Sequence, residues 1–131
     1  MTKTKAQQIM AATEVRAADD VTAAIQDIAA EFEPYIIKQR RHFHKHPELS
    51  LAEERTTSDI ANQLDAMNIP YERPLKTGLV ATLRGTAPDA YREDGTPRRR
   101  ILLRADIDAL PVTEQTGEEF ASVNEGCMHA C

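Results

Sequence analysis

Two groups of residues in this chain could do chemistry, and the first is a pair of aspartates. Asp106 and Asp108 closely follow three consecutive aliphatic residues, 101–103. A short apolar run of this kind predicts a strand buried on both faces, and an extended backbone would place both carboxylates on the same side. Ligand sites in open α/β sheets lie at the carboxyl ends of strands, so the pair is a candidate wall of a site. The alternative is an ordinary solvated turn, since a D-x-D pattern is common.

The second group is a cluster of two thiols and an imidazole at the end of the chain: Cys127, His129 and Cys131. Thiolate and imidazole are preferred ligands of Zn²⁺ and similar ions. Three ligands this close in sequence rarely close around one ion, so we expect one thiol to bind a metal with partners from elsewhere. Two alternatives stay open, a buried cysteine that packs as a small hydrophobe and a thiol pair that senses redox state.

Three histidines, His42, His44 and His46, alternate just before Pro47. On a helix, the first and third would share a face at i, i+4, which can bind a metal, whereas His44 would point elsewhere. No glutamate lies between them in the pattern typical of zinc hydrolases. We therefore favour polar residues at a helix end, where an imidazolium suits the negative end of the helix dipole.

Length and composition favour one globular domain in the cytoplasm. The chain has 131 residues, 28% of them charged, with a net charge of −5 and no concentrated basic face. This balance argues against nucleic acid as the main partner. No apolar run reaches membrane-spanning length, and the N-terminus lacks the apolar core of a signal peptide. Both cysteines lie within the last five residues of the sequence. This position suggests a truncated chain rather than a disulfide framework.

The first part of the chain predicts helices. Residues 1–30 contain no Gly or Pro, and Val21, Ile25 and Ile28 recur at helical spacing. Pro34 predicts a break, because the residue before a proline avoids helical geometry. A second helix is expected over residues 35–45.

A third helix and two strands should follow. Ser50 and Glu53 have the form of a capping box that opens a helix to about Asn68. Its expected inner face comprises Leu51, Ile60, Leu64 and Met67. Residues 79–83 and 101–103 predict strands on either side of an exposed loop, 86–97. Helices followed by strands indicate an α/β fold with a small sheet.

Three ordered segments carry a family resemblance: residues 40–50, 104–111 and 126–131. They resemble the patterns R-R-x-x-H-x-H-P-E-L-S, R-A-D-x-D-A-L-P and M-H-A-C-G-H-D. Those patterns are typical of metal-dependent amidohydrolases of the hippurate hydrolase and indole-acetyl-amino-acid hydrolase branch, in the aminoacylase-like metallopeptidase family. The match stops one residue before the expected Gly-His-Asp, in line with a truncated chain.

The resemblance implies a three-layer α/β catalytic domain that holds two divalent metal ions, Zn²⁺, Mn²⁺ or similar, in each full-length subunit. Residues 1–34 would form an N-terminal helical extension, and residues 35–131 the N-terminal part of the catalytic domain. A smaller lid domain, which often serves for dimerisation, and the rest of the catalytic domain would be absent. The implied substrate is an N-acyl amino acid whose amide bond is hydrolysed, with neither nucleic acid nor membrane as a partner.

The resemblance also implies roles for single residues. Cys131 matches the metal-binding cysteine, and Asp108 matches an acid that supports the metal site without binding the ion. His46 and Glu48 would act structurally or on the substrate side, whereas Asp106, His42, His44 and Cys127 receive no role. Since the remaining ligands and the general base would lie downstream, we expect the 131 residues alone to be inactive. The alternative is a non-catalytic binding or thiol redox module that uses Cys127 and Cys131.

Overall fold

The structure, a computed structural model, describes residues 18–130. Helix α1 spans Ala18–Lys45 and helix α2 spans Glu54–Met67. Two short strands follow, β1 at Tyr71–Glu72 and β2 at Val80–Ala81. Among these residues, no helix is both long and apolar enough to cross a membrane.

Helix α1 runs through Pro34 without a break, so the prediction of two helices separated at this proline is wrong. Proline costs a helix about 3 kcal/mol and one hydrogen bond, but it does not forbid helical geometry at the preceding residue. The turns after it are held by partners elsewhere: the Tyr35 hydroxyl donates to Gln63 Oε1 at 2.9 Å, and His42 Nε2 lies 2.8 Å from Asp59 Oδ2. The domain boundary at residue 34 stays a prediction. The predicted helical start over residues 1–17 lies outside the described residues.

Helix α2 begins at Glu54, and the predicted capping box of Ser50 and Glu53 is wrong. Glu53 flanks the helix but makes no capping hydrogen bond with its side chain. The Glu48 carboxylate accepts instead, from the backbone N–H of Arg55 at 3.1 Å and of Thr56 at 2.7 Å. A negative charge is favourable there because the first N–H groups of a helix lack partners within it.

The predicted end of helix α2 near Asn68 is confirmed. Asn68 adopts a left-handed conformation with φ 56°, and its backbone N–H bonds to Asp65 O. This geometry closes helices efficiently because it satisfies their last carbonyls. The expected inner face is confirmed only in part: Ile60, Leu64 and Met67 are partly buried, but Leu51 is 81% exposed.

The sheet is smaller than the sequence predicts. Strands β1 and β2 pair antiparallel, with Tyr71 opposite Ala81. The second predicted strand is wrong for the described residues, because Ile101, Leu102 and Leu103 are 88%, 88% and 90% exposed and belong to no strand. An apolar run becomes a buried strand only where neighbouring strands supply ladder partners and cover both faces.

Little apolar surface is fully buried between residues 20 and 130. The buried hydrophobic residues there are Ala61 on helix α2, Ala109 and Cys127, joined by the fully buried Pro47 and Thr57. Ala109, Cys127 and Pro47 come from the three segments that carry the family resemblance. Buried residues of the described chain therefore lie both at the start of helix α2 and within those three segments.

Candidate functional site

The three resemblance segments converge in space through backbone hydrogen bonds. The Ala109 N–H donates to the Glu48 carbonyl at 2.8 Å, which forms an isolated parallel bridge beside Leu49. Leu110 and Met128 exchange two N–H to carbonyl bonds of 3.0 Å each, as in an antiparallel ladder. We call residues 40–50 the histidine segment, residues 104–111 the aspartate segment and residues 126–131 the thiol segment. These hydrogen bonds hold the aspartate segment between the other two.

The two aspartates have different environments. Asp106 is exposed, and its carboxylate pairs with Arg104 at 2.6 Å. Asp108 is partly buried and directly precedes the buried Ala109. Its charge acts on His129, whose ring also hydrogen-bonds to the backbone of Asp108. The charge of Asp108 acts on a residue of another resemblance segment, and its supporting role at a metal site stays a prediction.

His129 has a polar atom without a partner in the described structure. Its Nε2 is fully buried and makes no hydrogen bond, although buried ring nitrogens normally do. Burial lowers the pKa of His129, and the nearby His44 lowers it further, while Asp108 acts in the opposite direction. The lowered pKa favours the neutral ring, and its buried Nε2 carries either a lone pair or an N–H. His129 lies two residues before Cys131 in the sequence.

The structure describes one of the two cysteines, Cys127, and not the other, Cys131. Cys127 is 6% exposed, and burial, followed by the negative charge of Glu48, raises the pKa of its thiol. A protonated, buried thiol is a poor nucleophile and a poor redox sensor, so the structure does not favour the redox alternative at this cysteine. Cys131, the predicted metal ligand, lies outside the described residues, and its role stays a prediction.

The three histidines near the end of helix α1 separate as their spacing predicts. The rings of His42 and His46 lie 5.2 Å apart on one face, and His44 points to another. His42 pairs with Asp59 on helix α2. Burial, followed by the positive charge of Arg55, lowers the pKa of His46. These contacts tie the helix end to its surroundings, in line with the structural role favoured for the histidines.

The sequence analysis did not identify Glu114 as a functional or structural residue. Its side chain is 4% exposed and accepts hydrogen bonds from the Ser122 N–H at 2.5 Å, from the Thr116 hydroxyl and from His44 Nε2 at 3.0 Å. These donors, the Ser122 N–H first, lower the pKa of Glu114 from 4.5 to about 2. No motif or spacing identifies this residue, because its donors come from 2, 8 and 70 positions away.

The Glu114 carboxylate makes stability depend on pH in a defined direction. Its pKa is about 2 in the folded chain against an ordinary 4.5, so the unfolded chain binds more protons between these values. The stabilisation is fully present above pH 4.5 and is lost as the pH falls toward 2. We expect the free energy of unfolding in urea to fall from about pH 5 to about pH 2.5 more steeply for the wild type than for Glu114→Gln. Equal slopes for the two proteins would contradict this assignment.

The donor types at the junction suit one edge of a divalent metal site. A buried imidazole nitrogen without a partner, a partly buried carboxylate and a following thiol are all groups that bind or support such ions. However, no three His, Cys, Asp or Glu side chains within residues 18–130 are grouped so that they could hold an ion. The described residues by themselves could supply only part of the ligands of such a site.

Sequence comparison finds hydrolases. No family model matches the chain. A protein of Staphylococcus epidermidis named as an uncharacterized hydrolase is 44% identical over 97 residues, which cover 74% of this chain and 23% of that protein. An uncharacterized hydrolase of Staphylococcus saprophyticus gives the same figures. The chain therefore spans about a quarter of the length of the relatives it matches.

Structure comparison finds the same class of fold. The YXEP protein of Bacillus subtilis, described as a dinuclear metal-binding peptidase of the M20 family, matches with a TM-score of 0.65 and 41% identity, over 78% of this chain and 27% of that one. A putative aminohydrolase from methicillin-resistant Staphylococcus aureus matches with a TM-score of 0.66 and 37% identity, over 80% and 26%. The predicted fold class, the opening part of an α/β hydrolase domain, is confirmed.

Proposed function

We propose that these residues form the N-terminal part of a longer metal-dependent amidohydrolase that cleaves the amide bond of N-acyl amino acids. The observation that carries the proposal is the meeting of the aspartate and thiol segments, through Leu110 and Met128, beside the buried and unpartnered His129 Nε2. The likeness to hydrolases, and to a peptidase that binds two metals, supports the class of chemistry. The N-acyl amino acid substrate rests on the resemblance of the three motifs.

In this proposal, Cys131 binds one of two divalent ions, Zn²⁺, Mn²⁺ or similar, and Asp108 supports the site from beside His129. A bound divalent ion polarises the amide carbonyl and lowers the pKa of a coordinated water. Glu48 and Ala109 hold the aspartate segment in place, and Cys127 fills the interior as a small apolar residue. The other ligands and the general base would come from residues beyond this chain.

The remaining parts of the proposal concern partners and location. We infer a small-molecule substrate, with neither nucleic acid nor membrane as a partner, and a cytoplasmic protein. A homodimer would form through a lid domain beyond these residues. The rival, a binding or thiol redox module, is weakened by the raised pKa and burial of Cys127.

Three measurements test the proposal. The 131-residue chain, incubated with hippurate-like substrates and Mn²⁺ or Zn²⁺, is expected to show no turnover, because most of the ligands are missing. Sequencing the encoding DNA past the codon for Cys131 is expected to reveal Gly-His-Asp and, later, an adjacent Glu-Glu pair. The longer product should then hydrolyse N-acyl amino acids and lose activity with a chelator. Turnover by the short chain would overturn the fragment assignment, and an inactive longer product would overturn the hydrolase assignment.

A further inference from the structure

Glu114 is a charged side chain in an almost fully covered position. A carboxylate with 4% exposure is tolerated because its contacts donate hydrogen bonds to it. Two of its donors, Thr116 and Ser122, belong to its own loop, and the third, His44, belongs to helix α1. Glu114 thus closes the loop of residues 114–122 and fastens it to the helix.

The far end of this loop is fastened to the same helix end. The Val123 N–H donates to the Lys45 carbonyl at 2.9 Å, and Asn124 Nδ2 donates to the Pro47 carbonyl at 2.6 Å. The Cys127 N–H then bonds back to the Asn124 carbonyl at 3.1 Å. The chain therefore leaves the loop in a fixed direction before it enters the thiol segment.

Phe120 adds an apolar contact at the middle of the loop. Its ring meets the His44 ring edge-on with 5.6 Å between centroids, and the Arg41 guanidinium carbon lies 4.9 Å from its centroid. His44 is thus held from two sides, by Phe120 and by the Glu114 carboxylate. Because that carboxylate can only accept, His44 Nε2 must carry the proton of their hydrogen bond.

We propose that Glu114 is a positioning residue for residues 127–130, which directly precede the proposed metal ligand Cys131 in the sequence. None of its hydrogen-bond partners lies in residues 127–130, so it acts on them through Ser122 and His44. The metal part of this inference rests on the proposed function, whereas the positioning part does not. Loss of the carboxylate charge should release the loop and the thiol segment, while helices α1 and α2 keep their own contact between His42 and Asp59.

The burial of Cys127 provides a direct readout of the segment. In a Cys131→Ser background, the alkylation rate of Cys127 by excess N-ethylmaleimide, followed by mass spectrometry, reports how often the segment opens. We expect Glu114→Gln to raise this rate by about 10-fold, since each 1.4 kcal/mol of lost local stability is a factor of ten. The matched control is Glu119→Gln, an exposed glutamate five positions away in the same loop, which should leave the rate unchanged.

Global unfolding must be separated from local release. Urea unfolding and amide exchange in helix α2 are measured for each variant, and Glu114→Gln is expected to reduce the protection of helix α2 less than it raises the alkylation rate of Cys127. If Glu114→Gln does not fold, Thr116→Val removes one donor and keeps the charge, and it should accelerate alkylation by a smaller factor. Equal alkylation rates in the variant and the Glu119→Gln control would overturn the positioning role.

A metal arm tests whether the positioning matters for the proposed site. In a Cys127→Ser background, Co²⁺ is titrated while its thiolate charge-transfer absorption is followed, and Glu114→Gln is expected to weaken binding by about 10-fold, as loss of groups that orient ligands does. Unchanged Co²⁺ affinity together with faster alkylation would keep the positioning role and overturn its metal part. If the parent chain binds no Co²⁺, the ligands within it are too few to hold an ion, and the alkylation rates alone decide the role of Glu114.

Discussion

Replacing Cys131 with serine is expected to abolish the thiolate-to-metal absorption that Co²⁺ produces with this chain, and to lower its apparent affinity for Zn²⁺ by about 10-fold or more. A thiolate is the strongest ligand that the thiol segment can offer, and a serine hydroxyl stays protonated and binds such ions poorly. Metal binding by a thiol also releases a proton, so the absorption of the parent chain should grow as the pH rises toward the pKa of the thiol. A Co²⁺ titration of the purified chain at two pH values measures the absorption and its dependence on pH, and competition with Zn²⁺ measures the apparent affinity for Zn²⁺.

The matched control for this prediction is Cys127→Ser, four residues earlier. Burial raises the pKa of the Cys127 thiol, and the Glu48 charge adds to this effect, so Cys127 stays protonated and should contribute little to metal binding. We expect the Cys127 variant to keep the absorption band. A band that disappears with Cys127 and survives without Cys131 would exchange the roles of the two cysteines and remove the basis for the residue assignment.

The sequence predicted well those features that depend on short stretches of chain. The end of helix α1 at Lys45, the end of helix α2 near Asn68 and the shared face of His42 and His46 follow from spacing and residue type alone. The order of the three resemblance segments was sufficient to predict the fold class. That they meet through Ala109 and Leu110 is a tertiary fact that no local pattern contains.

The features that the sequence did not predict depend on partners far along the chain. Residues 101–103 have the composition of a buried strand, but burial depends on neighbouring strands that the described residues do not supply. Pro34 lowers the local stability of helix α1, but the helix continues through it because the stability of the remaining turns is greater than this cost. Glu114 is recognisable only when His44, 70 positions away, lies beside it. Composition sets what a segment could do, and contacts with distant residues decide which option is realised.

The capping of helix α2 by Glu48 shows the same dependence and yields the second large prediction. Glu48→Ala removes a carboxylate that accepts from the N–H groups of Arg55 and Thr56, and we expect it to lower the free energy of unfolding by about 1–2 kcal/mol. Glu48→Gln keeps one acceptor oxygen and should cost less. Chemical denaturation followed by circular dichroism measures both, with Glu125→Ala as a control on an exposed glutamate that makes no capping contact.

The effect of Glu48 should extend beyond the helix, because its backbone carbonyl also accepts the hydrogen bond from Ala109. When the side chain no longer holds residue 48 against helix α2, that carbonyl loses its fixed position and the aspartate segment loses one of its two anchors. Amide exchange at Ala109 is therefore expected to accelerate in Glu48→Ala more than exchange at Met128, which bonds to Leu110 on the other side. Equal acceleration at both amides would mean that the variant only lowers global stability. A selective change at Ala109 would show that one glutamate both caps the helix and sets the position of the segment that carries Asp108.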